Sequence, residues 1–165
     1  MTGTSAPGKG AAEMHAIEMH AIEMHAIEIL AATPLSSVQD LGRNGARRYG
    51  IGVSGAMDPL ALQAANLMLG NDAGAAGIEI TASPLRLRFL RDAAFALCGA
   101  DGAAVLDGTP LPPWWAATAR AGQELSVRAP RTGMRAYLAV AGGVAVPEAM
   151  GSRSTDLKTG FGGHE

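Results

Sequence analysis

GIEITASPLRLRFLRDAAFALCG, residues 77–99, is the stretch that decides the fold. At its centre Leu85, Leu87 and Phe89 alternate strictly with Arg86 and Arg88. That is the period-two pattern of a strand with one buried face and one solvated face. A short branched segment precedes it at 77–81, and the apolar run Phe95-Ala96-Leu97-Cys98 after it reads as a buried strand. Further along, residues 103–106 and 109–111 flank Asp107-Gly108, a dipeptide suited to a two-residue hairpin turn. Residues 125–128 and 135–140 read as two more strands. Toward the N-terminus, residues 27–30 and 37–39 are extended segments separated by the Thr33-Pro34 breaker. Short strands at close spacing, broken by Gly, Pro and Asp, predict a sandwich or barrel.

One helix interrupts this pattern. Asp58 suits the N-cap and Pro59 the first helical position. Leu60, Ala64, Leu67 and Met68 follow as an apolar stripe, and Gly70-Asn71 is a stop. The preceding residues 40–55 hold five glycines and read as loop. Residues 1–26 read as a flexible tail. Within the N-terminal segment, Glu-Met-His-Ala-Ile occurs three times, at 13–17, 18–22 and 23–27. A five-residue period turns a helix by roughly 140° per copy, so the three histidines share no helical face, and no metal site is expected from them. The domain is expected to span 27–165.

Composition narrows the function classes. The chain has 165 residues, 48% of them apolar, a formal net charge of -2 and no basic stripe, which excludes nucleic acid as the expected partner. No apolar run reaches eighteen residues, so no membrane span is expected. The single cysteine, Cys98, makes neither an intrachain disulfide nor a CxxC metal site, and a reducing, cytoplasmic setting follows. Residues 28–163 contain no histidine, so a Ser-His-Asp or Cys-His site would need His164 to fold back. There is no GxxxxGK[ST] phosphate loop and no complete GxGxxG.

Two polar clusters remain. In the first, Gln39, Asp40 and Arg43 are followed by Ser54 and Asp58. Arg43 could clamp a carboxylate by a bidentate contact, with the helix N-terminus adding amides. Equally, Asp58 could simply cap the helix while Asp40 and Arg43 pair to brace the loop. The second cluster, Gly151-Ser152-Arg153-Ser154-Thr155, could bind an anion or form a hydroxyl-rich turn beside an exposed Arg.

VQDLGRNGARRYGIGVSGAMDPLALQAANLMLGN, residues 38–71, resembles the opening signature of the KipA, or allophanate-hydrolase-subunit-2, family, which includes the C component of bacterial ATP-dependent 5-oxoprolinase. GIEIT, LCGAD, LDGTPLP, MRAYLAVAGGVAVPEAMGSRST and FGG follow in the family's order, so the resemblance covers residues 27–163. It implies a carboxyltransferase domain of the A/B type, mainly β with one or two helices, in an incomplete cyclophilin-like barrel. Family members are about twice as long, which makes this chain resemble an N-terminal half. The implied reaction is ATP-dependent opening of 5-oxoproline to glutamate, performed with a KipI-like B component and a further A component. The alternatives are the carboxyltransferase part of a biotin-dependent urea carboxylase, and a partner-binding module or inactive fragment. No cofactor is expected on this chain itself. ATP would be used by the complex, and biotin, where used, would arrive on a separate carrier domain, since no AMKM-like motif is present. A carboxyl-transfer site needs cations and oriented donors rather than histidine, and Arg43, Asn66, Arg135 and Arg153 join the candidates on that ground.

Overall fold

The computed structural model describes residues 26–130 and 132–163. The expected tail and its repeat lie outside these residues up to position 25, as does His164.

Ten antiparallel strands divide into two five-stranded sheets. The first contains β1 (Ile27–Ala31), β4 (Leu85–Phe89), β9 (Glu124–Val127), β6 (Val105–Leu106) and β7 (Thr109–Pro110), in that spatial order. The second contains β2 (Ser36–Gln39), β3 (Gly77–Thr81), β10 (Arg135–Val140), β5 (Ala93–Gly99) and β8 (Trp115–Ala119). One α-helix, α1 (Pro59–Met68), covers the outer face of the second sheet, and a short 3-10 helix (Ala46–Tyr49) sits in the loop before it.

The alternation in β4 places Leu85, Leu87 and Phe89 inside and leaves Arg86 and Arg88 facing outward, where both pair with Glu124 of β9. Those three side chains pack with Leu125 and Val127 against Ile78, Ile80, Phe95, Leu97 and Leu138 of the second sheet. The Phe89 and Phe95 rings lie 5.1 Å apart at the centre of this core. Each large side chain buried here contributes roughly 1.5–3 kcal/mol. The opposite face of the second sheet is built from Ala96, Cys98, Tyr137 and Ala139. Those mostly small residues let α1 approach closely through Ala61, Leu62 and Ala65.

The mainly-β expectation holds, with one α-helix and one 3-10 turn among the described residues. The strands stop short of a closed barrel: β1 and β2, consecutive in the chain, end up as edges of opposite sheets. The hairpin at Asp107-Gly108 forms, with both residues at positive φ (44° and 84°) as the turn requires. Two readings need correction. The strand β8, Trp-Ala-Ala-Thr-Ala, is absent from the sequence reading, because three of its five residues are alanines, which are depleted in strands and offset its Trp and Thr. It forms because its backbone pairs with β5 along five residues. The apolar stripe of α1 also proves only partly a packing face: Ala64 packs on the sheet cluster, but the larger members are open. Leu60, Leu67 and Met68 are 74%, 62% and 46% exposed, whereas Ala61, Leu62, Ala65 and Asn66 are buried. Close packing on the sheet is made by the alanines and one large side chain, Leu62, while Leu60 and Leu67 point outward and Met68 lies at the margin with its sulfur 3.9 Å from Cys98 Sγ.

Candidate functional site

Two glycines close the two halves of the first polar cluster on each other. Gly42 and Gly55 lie at positive φ (86° and 90°) and against each other's backbone. A Cβ on Gly42 would meet the Ser54 carbonyl at 2.8 Å, and a Cβ on Gly55 would meet the Gly42 nitrogen at 2.8 Å. No side chain fits between them, so the QDLGR and SGAMD segments close as a backbone clasp. The Arg43 N–H donates to Val53 O at 2.8 Å, and the Ala56 N–H to Asp40 O at 2.9 Å. Ser54 sits in the clasp at φ 53°, an uncommon conformation for a residue with a Cβ.

Asp40 stands at the back of this clasp. Its Oδ1 accepts from the Ser152 hydroxyl (2.7 Å), the Ser154 hydroxyl (2.5 Å) and the Gly42 N–H (2.7 Å), and its Oδ2 from the Arg153 N–H (2.6 Å). Burial pushes the carboxyl up, but these four donors more than offset it and hold it below the usual carboxylate range. The serine-rich turn therefore does bind an anion, and that anion is Asp40. Gln39 continues the junction: its Nε2 donates to Ser37 Oγ and Thr155 O, and its Oε1 accepts from the Gly55 N–H.

Arg43 is 1% exposed. It neither pairs with Asp40 nor faces solvent. Its Nε donates to Ala149 O at 3.3 Å, its Nη1 to Ser54 Oγ at 3.1 Å and its Nη2 to Ser154 O. Phe161 stacks on the guanidinium, 5.2 Å from carbon to ring centroid. The rigid fork of guanidinium donors suits this work of joining the clasp to residues 149–161.

A second polar centre lies at the start of α1, and its core residues were not singled out from the sequence. Glu79 of β3 is 6% exposed and lies on the helix side of the second sheet. Its Oε2 accepts from the Tyr137 hydroxyl (2.7 Å) and the Met57 N–H (3.0 Å), and its Oε1 from Arg135 Nε (3.1 Å). The Tyr137 hydroxyl also accepts the Asp58 N–H at 2.8 Å. Burial first, and then the neighbouring Glu79, raise the tyrosine's pKa well above its ordinary value, so the phenol stays protonated. Asp58 caps the helix through Ala61 N at 3.1 Å, filling the place an external anion would take. Arg135 keeps its side chain 30% exposed while Glu79 anchors its Nε. A carboxylate set between two isoleucines in the five-residue strand GIEIT was the signal available for this centre. It is informative only once both faces of that strand are known to be covered.

Residues 54–58 join the two centres, Ser54 and Gly55 touching the first and Met57 and Asp58 the second. Gln39, Asp40, Arg43, Ser54, Ser152 and Ser154 thus converge, and Asp58 and Arg135 meet beside them. Two candidates do not join. Asn66 lies near the other end of α1 and is fully buried, donating to Ala75 O at 2.7 Å and accepting from Asn71 Nδ2 at 3.0 Å. Arg153 contributes its N–H to Asp40, but its side chain turns away to Val146 O and Glu148. Cys98 is buried against α1, and burial pushes its thiol up to about 11, the behaviour of a packed hydrophobe rather than a nucleophile. Among the described residues no group of three or more His, Cys, Asp or Glu side chains is placed to hold a metal. The clasp glycines are filled by each other's backbone, so they form no cradle for a phosphate. No helix among the described residues is long and apolar enough to cross a membrane.

Residues 49–165 match the family model described as carboxyltransferase domain, subdomain A and B. The chain is 51% identical over 130 residues to the C component of 5-oxoprolinase from Escherichia coli, covering 79% of this chain and 42% of that protein. A putative urea carboxylase of Emericella nidulans is 44% identical over 114 residues, covering 68% of this chain and 9% of the relative. Among solved structures, TTHA0988 superposes with a TM-score of 0.79 at 33% identity, covering 84% of this chain and 52% of that one. The chain therefore spans less than half the length of its similar 5-oxoprolinase relative.

Proposed function

The chain belongs to the carboxyltransferase-domain family, subdomains A and B, and from that membership we propose that it serves as the C-type component of an ATP-dependent 5-oxoprolinase. The observation that carries this reading is the 51% identity over 130 residues to the E. coli C component. In this reading it works in the cytoplasm with a KipI-like B component and an A component. ATP is consumed by the assembly rather than held on this chain.

The reaction hydrolyses a five-membered lactam. Its C–N bond breaks, and water supplies a hydroxyl to the carbonyl carbon and a proton to the nitrogen. A second water is consumed as ATP becomes ADP and phosphate, and the product is glutamate. The substrate carries a carboxylate, and negative charge develops on the lactam oxygen as the carbonyl carbon is attacked. Arg135 is the cation of this chain best arranged to meet either charge. Glu79 fixes its Nε, and its side chain is partly open to solvent. Oriented donors held before the reaction begins lose no reorganisation energy when charge develops. Tyr137 and Glu79 act on Arg135 as positioning residues. Arg43 and Asp40 hold the clasp that sets the position of Ser54 and of the helix start.

The test is a chimera in which residues 27–163 replace the matched stretch of the E. coli C component, assayed with its A and B components. Glutamate and ADP should form together from 5-oxoproline. Within the chimera, Arg135→Ala should raise KM for 5-oxoproline by at least tenfold, with Arg135→Lys recovering part of it. A folded, assembled chimera without activity on 5-oxoproline would overturn the reading. The urea carboxylase likeness supports the second reading, and carboxylation of urea from carboxybiotin is the outcome that would install it.

A further inference from the structure

Ser54 lies where the two polar centres join, and its hydroxyl is used differently from those of the serines beside it. Ser152 and Ser154 give their hydroxyl protons to Asp40. The Ser54 Oγ instead accepts, from Arg43 Nη1 at 3.1 Å. A guanidinium carries donors and no acceptor, so this bond leaves the serine's own proton unused. Among the described residues no acceptor takes that proton. Arg43 is almost fully buried, so its charge acts on the hydroxyl through little water, and a hydroxyl that accepts from a cation becomes a stronger donor in turn. Ser54 itself is only half-buried. Its backbone stands at φ 53°, and the four other positive-φ positions between residues 40 and 58 are Gly42, Gly45, Gly50 and Gly55. At position 54 a side chain therefore stands where glycine would be least strained, at a cost on the order of 1–3 kcal/mol. Strain of this kind, around a polarised hydroxyl with a proton to give, points to use of that proton.

We propose that Ser54 is a catalytic hydrogen-bond donor of the lactam-opening reaction, its hydroxyl proton directed at the lactam oxygen while Arg43 polarises it from behind. This rests on the 5-oxoprolinase reading. No bond forms to Oγ and the proton stays on the serine; the hydrogen bond strengthens as the oxygen gains charge. Three residues on, the Met57 N–H donates to Glu79, which fixes Arg135. The chain keeps the Cα atoms of Ser54 and Met57 within roughly 11 Å, so hydroxyl and guanidinium belong to one neighbourhood. Arg135 then meets the substrate carboxylate, a charge present before the reaction, and Ser54 meets the charge that appears during it. The first contact shows in KM and the second in kcat. A serine serving only as acceptor for Arg43 would move neither in a folded, assembled protein.

The test uses the chimera with its A and B components. Ser54→Gly removes the hydroxyl and adopts φ 53° without strain. It should lower kcat roughly a hundredfold, the loss typical of one oxyanion donor, with KM little changed. Its thermal midpoint should be no lower than that of Ser54→Ala, which keeps the strain. Replacing the lactam oxygen of the substrate by sulfur, a weak acceptor, should slow the unmutated chimera about tenfold more than it slows Ser54→Gly. A folded and assembled Ser54→Gly with kcat near that of its parent would overturn the inference. So would a rise in KM at constant kcat, or equal slowing of both proteins by sulfur. An unmutated chimera that folds, assembles and leaves 5-oxoproline intact would sink the reading itself, and this inference with it. An active chimera indifferent to Ser54→Gly would sink this inference alone.

Discussion

Asp40 and Glu79 are both carboxylates drawn into the interior, and their company differs. Asp40 is surrounded by neutral donors, two hydroxyls and two backbone amides, three of them from residues 152–154. Glu79 is paired with a cation that reaches solvent, and with a tyrosine that in turn accepts from the helix cap. The first arrangement joins segments more than a hundred residues apart and leaves its charge fully occupied. The second holds an arginine at the surface with part of its guanidinium available. A buried charge satisfied by its own chain is a brace. A buried charge that orients a second, exposed charge is the more informative sign of a site.

The largest effect should come from breaking the brace. Asp40→Ala leaves the buried hydroxyls of Ser152 and Ser154 without their acceptor and should cost about 3 kcal/mol in urea unfolding. The same carboxylate sets the acid limb of stability. Its folded pKa is depressed, so its contribution is present above the unfolded value near 3.8 and is lost as pH falls through the folded value. Asp40→Asn should flatten that limb in a pH series of thermal melts; an unchanged limb would remove Asp40 from its role as the charged centre of the brace.

Next in size, Tyr137→Phe removes the donor to Glu79 and the acceptor of the Asp58 N–H, and should cost about 1–3 kcal/mol. The distinguishing readout is the chimera's kinetics. If Tyr137 positions Arg135 through Glu79, the variant raises KM for 5-oxoproline even at temperatures where it is fully folded. A stability loss with unaltered kinetics would make the second centre another brace and erase the contrast with the first. Asp58→Ala should cost about 1 kcal/mol through the lost cap, again by urea unfolding. Smallest of all, Leu67→Glu should change stability by less than about 0.5 kcal/mol, because its side chain is already outside. A larger loss would show that the exposed face of α1 is covered in solution.

Much of this was legible in the residues. The strict alternation of Leu85 to Phe89, the Asp107-Gly108 turn and the Asp58-Pro59 helix start are local signals, and each formed where its pattern lay. The clusters at 39–58 and 151–155 were also recognisable as polar groups worth watching. Their meeting was not, because hydrogen bonds such as Ser152 to Asp40 span 112 positions and leave no periodic trace. Nor was the outward turn of Leu60 and Leu67. A stripe of large side chains looks like a packing face until the partner surface is known to demand small ones.

The sequence alone determined the mainly-β class, the position of α1, the absence of histidine from 28–163 and the family resemblance, because each depends on neighbouring residues or on motif order. Tertiary structure decided that Arg43 is a buried tie rather than an anion clamp, that Glu79 and Tyr137 underlie Arg135, and that β1 and β2 end as edges of opposite sheets. Those outcomes depend on which backbone closes against which. That choice is made by the close approach of Gly42 and Gly55 and by the packing of two sheets, and neither is encoded in any single stretch of the chain.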